Sequence, residues 1–176
     1  MTGGGYKLSL SNPDYFEICI GKRVLDKQLS PDGAVPVYSA NVSEPFGRIN
    51  DHLLSDFSVP SVLWGIDGDW MTGLIPPNEE FYPTDHCGVL RSKTDKINPH
   101  YLCHVLNVEG ARMGFSRSYR ASIDRVKGIS FYVPPREIQD ITVNEILEIE
   151  GKIKELNNSL KGIEERITSV LDSYLK

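Results

Sequence analysis

The chain has 176 residues, of which 40% are hydrophobic and 24% are charged. This composition is that of an ordinary folded domain and excludes a fibrous or largely disordered chain. No stretch approaches the ~20 consecutive apolar residues of a membrane helix, and residues 1–5 show neither the basic nor the apolar region of a secretory signal. Three cysteines without a closely spaced pair favour reduced thiols over a disulfide framework, so we expect a cytoplasmic protein.

The net charge of −5 is unevenly distributed along the chain. Residues 137–176 hold nine acidic and five basic side chains, whereas the preceding residues hold 15 acidic and 14 basic ones. Because Lys and Arg must neutralise phosphates to bind a nucleic acid, this balance argues against a general DNA-coating protein. If the first part of the chain binds DNA, we expect a locally basic face and a partner that supplies some of the phosphate contacts.

The first motif along the chain is Asn12-Pro13-Asp14-Tyr15, one residue away from the Asn-Pro-Pro-Tyr motif of amino-group DNA methyltransferases. Its second proline is absent, and the 11 residues upstream are too few for a glycine-rich AdoMet-binding fold. We therefore interpret these residues as a turn before the first strand, without a catalytic role.

Short apolar runs follow, rich in Val, Ile and aromatic residues and bounded by Gly, Pro, Asn and Asp, which is typical of strands joined by turns. The predicted strands are residues 16–20, 35–38, 59–64, 87–90 and 129–133. Residues 66–70 carry the Asp-Gly signal of a hairpin turn. A short helix is predicted after Asn98-Pro99, because the apolar residues between 101 and 108 fit helical spacing. The first ~135 residues are thus predicted to be strand-rich with one or two short helices.

Metal and hydrolase chemistry find little support in this region. A zinc site would draw on His86, Cys87, His100, Cys103 and His104. Structural zinc normally requires closely spaced Cys or His pairs, and Cys87 and Cys103 do not form one. There is no Gly-x-Ser-x-Gly elbow and no P-loop, and the carboxylates of Asp67 and Asp69 are explained by the turn between them. We expect no catalytic residue and no metal in this chain.

Residues 112–122 interleave three arginines with two aromatic residues and three serines. Arginine reads guanine with two hydrogen bonds and also binds phosphate, while serine hydroxyls hold a nucleic-acid backbone in register. Further basic clusters lie at residues 22–23 and 91–96. These clusters predict a binding surface, although solvated basic loops of this kind also occur without any ligand.

After Pro134-Pro135 the pattern changes to a repeat of 3.5 residues. The apolar positions alternate steps of three and four: Ile146, Ile149, Ile153, Leu156, Leu160, Ile163, Ile167, Val170 and Tyr174. This repeat predicts a coiled-coil helix. Thr142 and Glu145 suit a capping box, so we expect the helix to run from Thr142 to Lys176. The apolar seam is predicted to pair with a second helix; its packing against the chain's own domain stays open as the alternative.

The order of segments resembles the target-recognition domains of type I restriction–modification specificity subunits and of similar domains fused to adenine-N6 DNA methyltransferases. The matching pieces, in chain order, are Ile20-Gly21-Lys22-Arg23, Val35-Pro36-Val37-Tyr38-Ser39-Ala40, Val62-Leu63-Trp64-Gly65-Ile66-Asp67-Gly68, Tyr82-Pro83-Thr84-Asp85-His86-Cys87-Gly88, Gly114-Phe115-Ser116-Arg117-Ser118-Tyr119-Arg120-Ala121-Ser122 and Val133-Pro134-Pro135 with Gln139. Six pieces in order, followed by the heptad helix, span almost the whole chain.

The resemblance implies an α+β fold in which residues 1–136 form a DNA-reading domain and residues 137–176 a dimerisation and spacer helix. Such a domain reads one half of a bipartite double-stranded DNA site. A methyltransferase subunit holds AdoMet and methylates adenine, and a motor–nuclease restriction subunit can join the complex. Complete family members carry two recognition domains and two helices, so we expect this chain to be a homodimerising half-subunit or a fragment of a longer protein.

The resemblance and the residue chemistry together give the expected DNA contacts: Lys22, Arg23, Tyr38, Ser39, Asn41, Arg48, Trp70, Arg112, Arg117, Ser118 and Arg120. For Trp64 and Phe115 core packing is preferred over base contact, and Asp67, Thr84 and Asp85 are assigned to bracing loops. The residues leave one alternative open, in which the domain recognises a protein or a glycan and the coiled coil multimerises it.

Overall fold

The structure is a computed structural model that describes residues 4–175. Residues 1–3, where no signal segment is expected, and Lys176, the last residue of the predicted helix, lie outside the described residues. The chain divides into two compact units, which within the described part are residues 4–139 and 140–175. No helix in this part is both long enough and apolar enough to cross a membrane.

Strands, short helices and one long helix make up the described chain. In order they are β1 (Tyr6–Ser9), β2 (Phe16–Ile20), β3 (Val35–Tyr38), β4 (Gly47–Ile49), β5 (Ser61–Gly65), β6 (Thr72–Ile75), β7 (Tyr82–Pro83), β8 (Cys87–Ser92), α1 (Pro99–Arg112), α2 (Ile123–Lys127), β9 (Ser130–Val133) and α3 (Arg136–Tyr174), with a 3-10 turn at Asp26–Gln28. The α+β class predicted from the sequence is confirmed.

The centre of the first unit is an antiparallel sheet of four strands in the order β2-β8-β5-β6. Strands β4, β3 and β7 form a second sheet, in which β3 and β7 are parallel, and β1 pairs with β9. Every residue of β5 is buried because both faces of the central sheet are covered. Val62 and Trp64 lie in a core cluster with Leu102 and Leu106 of α1, whereas Leu63 lies in a separate cluster.

The five strands predicted from apolar runs are confirmed as β2, β3, β5, β8 and β9. The apolar runs missed β1, β4, β6 and β7, although the hairpin turn predicted at residues 66–70 is confirmed by the antiparallel pairing of β5 with β6. The missed strands have two to four residues each and include Lys, Arg, Thr, Gly or Pro, so they lack the apolar run that signals a strand. The placement of residues 12–15 before the first strand was wrong, since β1 precedes them and they form the turn that joins β1 to β2.

The helix predicted after Asn98-Pro99 is confirmed as α1. The side chain of Asn98 accepts hydrogen bonds from the backbone N–H groups of His100 (2.8 Å) and Tyr101 (3.2 Å), and Pro99 is the first helical residue. Asn at the N-cap and Pro at the next position satisfy the requirements of a helix start, because proline has no N–H to leave unpaired.

The predicted start of the long helix was wrong. Helix α3 begins at Arg136, six residues before Thr142, which lies within the helix and does not cap it. The carbonyl of Pro135 accepts hydrogen bonds from the N–H groups of Ile138 and Gln139, so the helix starts directly after the two prolines. At about 1.5 Å per residue the 39 residues of α3 extend about 58 Å.

Candidate nucleic-acid interface

Several loops converge at one end of the four-stranded sheet, where β2 and β5 end and β6 and β8 begin. The Ile66 N–H donates to the His86 carbonyl (3.0 Å), and the Ala121 N–H donates to the Ile66 carbonyl (2.9 Å). The Lys22 N–H reaches the Pro83 carbonyl at 3.2 Å. We call this surface the loop edge and define it as residues 21–23, 39–41, 66–71, 84–86 and 113–122 together with Arg125, which lines a cleft with Arg120.

Two glycines allow the loops to approach so closely. A Cβ atom at Gly21 would lie 1.7 Å from the carbonyl oxygen of Pro83, and one at Gly65 would lie 2.1 Å from that of Ala40. Any side chain at either position would push the loops apart. Thr84 completes the connection, since its buried hydroxyl donates to the Ser39 hydroxyl at 3.1 Å.

The loop between α1 and α2 is attached to the core at both of its ends. Phe115 is buried, with its ring centroid 5.1 Å from that of Trp70, and the buried Trp64 donates its indole N–H to the Ala121 carbonyl at 2.8 Å. The preference for core packing at Trp64 and Phe115 is therefore confirmed. Between these anchors Ser116 and Tyr119 exchange two backbone hydrogen bonds, of 3.0 and 3.1 Å. The exchange leaves residues 117 and 118 at the tip of a tight turn.

Asp67 connects three of the loops. Its carboxylate oxygens lie 2.6 and 2.7 Å from Nδ1 of His86, and Oδ2 also accepts a hydrogen bond from Nη2 of Arg120 at 3.2 Å. The side chain of Asp67 is only 23% exposed, whereas that of Arg120 is 57% exposed. The bracing role expected for Asp67 is confirmed by these contacts, which hold one side of the Arg120 guanidinium and leave the rest towards solvent.

Asp69 and Arg117 form the most exposed ion pair of the loop edge. Nε and Nη2 of Arg117 donate to the two carboxylate oxygens of Asp69, both at 3.1 Å. The hydrogen bonds from Arg117, followed by its charge, lower the pKa of the Asp69 carboxyl below its ordinary value. Both side chains remain more than 70% exposed, so each is accessible to a large ligand.

Arg125, which sequence reasoning missed, adds another cation to this surface. Its guanidinium carbon lies 4.0 Å from the centre of the Tyr119 ring, and Nη1 donates to the Arg120 carbonyl at 2.8 Å. Arg120 and Arg125 line a cleft of about 470 Å³ together with Asp85. The available signal was the short segment Ser122-Ile123-Asp124-Arg125, which has the pattern of a helix start but is too brief to stand out from the loop around it.

Most of the sequence-predicted contact residues lie together on the loop edge. They are Lys22, Arg23, Ser39, Asn41, Trp70, Arg117, Ser118 and Arg120. Lys22 and Arg23 are exposed and form no ion pair within residues 4–175. Asn41 lines a cleft with Asp67, Asp69 and Arg117, so the loops that follow β3 and β5 share one surface with the α1–α2 loop.

Four of the predicted residues have structural partners of their own. Trp70 donates its indole N–H to the Asn107 carbonyl, and its ring fills the space beside Gly110. Arg48, in β4, donates to the carbonyls of residues 33 and 34 and so closes the preceding loop. Arg112 pairs with residue 109 one turn earlier in α1, and Tyr38 packs edge-on against residue 81. The loop edge does not include Tyr38, Arg48 or Arg112, whose contacts with DNA stay predictions.

The residues considered for a zinc site do not converge. Cys87 is buried in the cluster that contains Leu63, while Cys103 packs against the cluster that contains Trp64. Within residues 4–175 no group of three His, Cys, Asp or Glu side chains is arranged to hold a metal ion.

The second unit presents the apolar seam that the heptad repeat predicts. Eight of the nine seam residues are exposed, from Ile153 at 51% to Tyr174 at 85%, and Ile146 is intermediate. Leu147, Leu171 and Leu175 extend the exposed apolar surface beyond the seam. Exposed apolar area on this scale marks an interaction surface, because soluble monomers rarely leave such long stripes uncovered.

The sequence and the fold both have recognisable relatives. The family model described as the type I restriction modification DNA specificity domain matches residues 10–165. A Mycoplasma pneumoniae protein named as a type I specificity subunit is 27% identical over 92% of this chain and 54% of its own length. The MpnII type I restriction enzyme specificity subunit of the same organism is 28% identical over 81% of this chain and 43% of its own length. The chain thus spans about half the length of these relatives.

Solved structures of specificity subunits share the fold. The S subunit of a type I restriction–modification system from M. genitalium superposes with a TM-score of 0.65 and 13% identity, over 90% of this chain and 42% of that one. The HsdS subunit of Thermoanaerobacter tengcongensis gives a TM-score of 0.68 and 14% identity, over 89% and 40% of the two chains. At such identities the likeness concerns the fold, whereas the family match covers most of the chain in sequence. The chain therefore belongs to the type I restriction modification DNA specificity domain family.

Proposed function

We propose that this chain is a non-catalytic DNA-recognition component of a restriction–modification complex. Its first unit reads one half of a bipartite double-stranded site through the loop edge. Methyltransferase subunits, which hold AdoMet, then methylate adenine at the bound site, and a restriction subunit can join them. The relatives are named as specificity subunits, which agrees with a chain that recognises DNA while other subunits carry out the catalysis.

One observation carries the proposal: the loop edge gathers exposed cations from separate parts of a chain whose overall charge is negative. Lys22 and Arg23 follow β2, Arg117 and Arg120 lie in the α1–α2 loop, and Arg125 follows in α2. Guanidinium groups suit both phosphates and guanine edges, and the neighbouring serine hydroxyls suit the DNA backbone. Solubility alone does not require these cations to be concentrated at one end of a sheet.

Selection from random-sequence duplex DNA tests the proposal directly. The full chain is incubated with the duplex pool at low salt, bound DNA is sequenced over several rounds, and the affinity of the enriched DNA is measured by fluorescence anisotropy. We expect enrichment of a short motif and binding that weakens steeply with salt. Binding without any enriched motif, or no binding at low salt, would contradict sequence recognition by this chain.

Lys22 and Arg23 provide a test of how the loop edge binds phosphate. Replacing either residue by Ala should weaken binding to all duplexes by a similar factor and reduce the slope of log affinity against log salt by about one. Lys7→Ala, an exposed lysine in β1 outside the loop edge, is the control and should leave the slope unchanged. A slope that falls equally in the control would place the phosphate contacts elsewhere.

Helix α3 is proposed to pair with a second copy of this chain. A two-fold dimer would bring two identical reading domains to one DNA molecule and so favour inverted half-sites. Sedimentation across a concentration range tests this, with truncation after Leu147 as the comparison. A dimer that the truncation abolishes supports the pairing, whereas an intact dimer after truncation would locate the interface in the first unit.

A further inference from the structure

The pairing of Asp69 with Arg117 has a geometry that folding alone does not explain. Both side chains are highly exposed, at 73% and 77%, and ion pairs in such positions contribute little to stability. The pair nevertheless has two well-formed hydrogen bonds, whereas a long flexible arginine at the tip of a turn would otherwise be free to adopt many conformations. The carboxylate therefore orients the plane of the guanidinium at the exposed tip of this turn.

Both partners are placed by the core. Arg117 stands at the tip of the turn closed by Ser116 and Tyr119, and that turn is bounded by the buried residues Phe115 and Ala121. Asp69 lies in the β5–β6 loop, whose first residue accepts the backbone hydrogen bond of Ala121. The two loops are thus joined by a backbone hydrogen bond between Ala121 and Ile66.

The hydrogen bonds use one particular edge of the guanidinium. Asp69 takes the Nε–H and one N–H of Nη2, which together form the side edge of the group. Among the described residues the two N–H groups of Nη1 and the second N–H of Nη2 have no partner. Of these, one N–H of Nη1 and the remaining N–H of Nη2 form the end-on fork, which matches the O6 and N7 acceptors of guanine in the major groove.

Arg120 offers a contrast within the same loop. Among residues 4–175 its guanidinium makes a single hydrogen bond, from Nη2 to Asp67, and Asp67 is itself shared with His86. One bond restrains the position of the guanidinium but leaves its plane free to rotate. A group held in this way suits a phosphate, which accepts from many directions, better than a planar base edge.

We propose that Asp69 is a specificity-determining positioning residue, whose carboxylate holds Arg117 by its side edge so that the end-on fork of Arg117 reads one guanine of the DNA site. The inference rests on the proposed function and deepens it, since it assigns base reading to one residue and orientation to another. Asp69 itself contacts no base in this arrangement.

A competing role for Asp69 gives the opposite result. If the carboxylate merely masked Arg117 until DNA displaced it, Asp69→Asn would raise the affinity for every duplex and leave the preference among bases unchanged. If the carboxylate positions Arg117, Asp69→Asn removes its negative charge and one of the two oxygens that accept hydrogen bonds from Arg117. The variant should then have a reduced preference for guanine at a single position of the DNA site. The decisive quantity is therefore the affinity ratio between a duplex and its single-base-pair variant, and not the affinity itself.

The experiment uses the full chain and the duplex enriched from the random pool, together with a set of duplexes that change one base pair at a time. We expect Arg117→Lys to reduce the preference at one guanine by about tenfold to a hundredfold, in line with the discrimination of a bidentate contact. Asp69→Asn should reduce it at the same position, and the double variant should lose no more than Arg117→Lys alone. Asp14→Asn, an equal charge change in the exposed turn before β2, is the matched control and should keep every preference.

The outcomes separate this inference from the function on which it rests. If the unaltered chain enriches a motif but Asp69→Asn keeps every preference, the inference is overturned and sequence recognition stands. The same holds if Arg117→Lys weakens all duplexes equally, because Arg117 would then bind phosphate. If the unaltered chain enriches no motif, the proposed function and the inference both fail. Thermal unfolding of each variant should match that of the unaltered chain, since both side chains are exposed.

Discussion

At the scale of single residues, Gln139 shows how a buried amide organises the backbone around it. Its side chain is fully buried; Nε2 donates to the carbonyls of Lys96 (3.0 Å) and Pro134 (2.8 Å), and Oε1 accepts from the N–H of Asn98 (2.8 Å). One side chain thus connects the start of α1, the segment before it and the prolines that precede α3.

We expect Gln139→Leu to lower the free energy of unfolding by about 2 kcal/mol, because the buried N–H of Asn98 loses this bond and two partly buried carbonyls lose theirs. Chemical denaturation at a fixed protein concentration measures the effect. Gln28→Leu is the control, since the amide of Gln28 accepts a hydrogen bond from the exposed Leu25 N–H, which water can replace. Equal losses in the two variants would mean that the network around Gln139 contributes nothing of its own.

Cys87 gives a prediction that depends on pH. Burial, with a smaller contribution from Cys19, raises the pKa of the Cys87 thiol to about 12 from an ordinary value of 9.0. The folded chain holds this proton more tightly than the unfolded chain. The corresponding contribution to stability is therefore complete below about pH 9 and is lost as the pH rises towards 12.

Because the thiolate is the reactive species, Cys87 should resist alkylation in the native chain at about pH 8.5 and react readily in urea. Peptide mapping by mass spectrometry after iodoacetamide treatment distinguishes the three cysteines. Cys19 and Cys103, which are partly exposed, serve as internal references. Modification of Cys87 at the same rate in the native and the unfolded chain would show that the site is open to solvent.

The residue chemistry of the loop edge was only partly predictable. Arg117 and Arg120 stand out in the sequence because they lie in a loop with serines and aromatic residues. Their partners Asp69 and Asp67 lie 48 and 53 positions away, and only the fold brings them together. Composition identifies which groups can bind DNA, whereas the hydrogen bonds that orient them depend on the path of the chain.

At the scale of the elements, two helical glycines give opposite predictions for the same substitution. Replacing Gly by Ala in a helix is ordinarily favourable by up to about 1 kcal/mol. A Cβ atom at Gly110 of α1 would lie 2.0 Å from Cζ2 of Trp70, whereas a Cβ at Gly151 of α3 would have nothing within 4 Å. Gly110→Ala should therefore lower the thermal midpoint of unfolding, and Gly151→Ala should raise it slightly.

The two glycine variants also test the support of the loop edge. Displacing Trp70 disturbs its contact with Phe115, which anchors the α1–α2 loop, so Gly110→Ala should weaken DNA binding as well as stability. Gly151→Ala should leave DNA binding by the first unit unchanged. If Gly110→Ala stabilises the chain and keeps its affinity for DNA, the packing of Trp70 against α1 is looser than the structure indicates.

Elements with strong apolar patterns were predicted well, and elements defined by their partners were not. Strand β5 is apolar because both of its faces are buried, and β2 and β3 have similar runs. Strand β7 has two residues and owes its existence to its parallel pairing with β3. The start of α3 was misplaced because Thr142 and Glu145 imitate a capping box, while Pro134 and Pro135, eight and seven residues before Thr142, determine where the helix begins.

At the scale of the whole molecule, charge and apolar surface are divided between the two units. The first unit has nearly balanced charges and carries the cations of the loop edge, while the helical residues from 137 onwards are acidic. An acidic helix repels DNA phosphates, so its apolar seam is suited to another helix and not to the nucleic acid. This distribution favours an arrangement in which the first unit binds DNA and the second unit pairs two copies of the chain.

Leu160→Glu tests the seam at its middle. Leu160 is 54% exposed in the chain, and a glutamate there would face the partner helix in a dimer. Burying two such carboxylates without compensation is costly, so we expect the sedimentation mass to fall from twice the chain mass to that of a single chain. Asn158→Glu adds the same charge two residues away, outside the seam, and should leave the dimer intact.

DNA binding by the Leu160→Glu variant tests whether dimerisation through α3 contributes to the affinity for DNA. A dimer on a duplex with two inverted half-sites gains affinity because its second reading domain binds at a high effective concentration. The variant should lose this gain, by about a hundredfold or more, while its affinity for a duplex with one half-site stays that of the unaltered chain. Equal losses on both duplexes would mean that the substitution damages the first unit. A variant that remains a dimer, or an unaltered chain that is a monomer at every concentration, would show that the seam is not the contact between two copies.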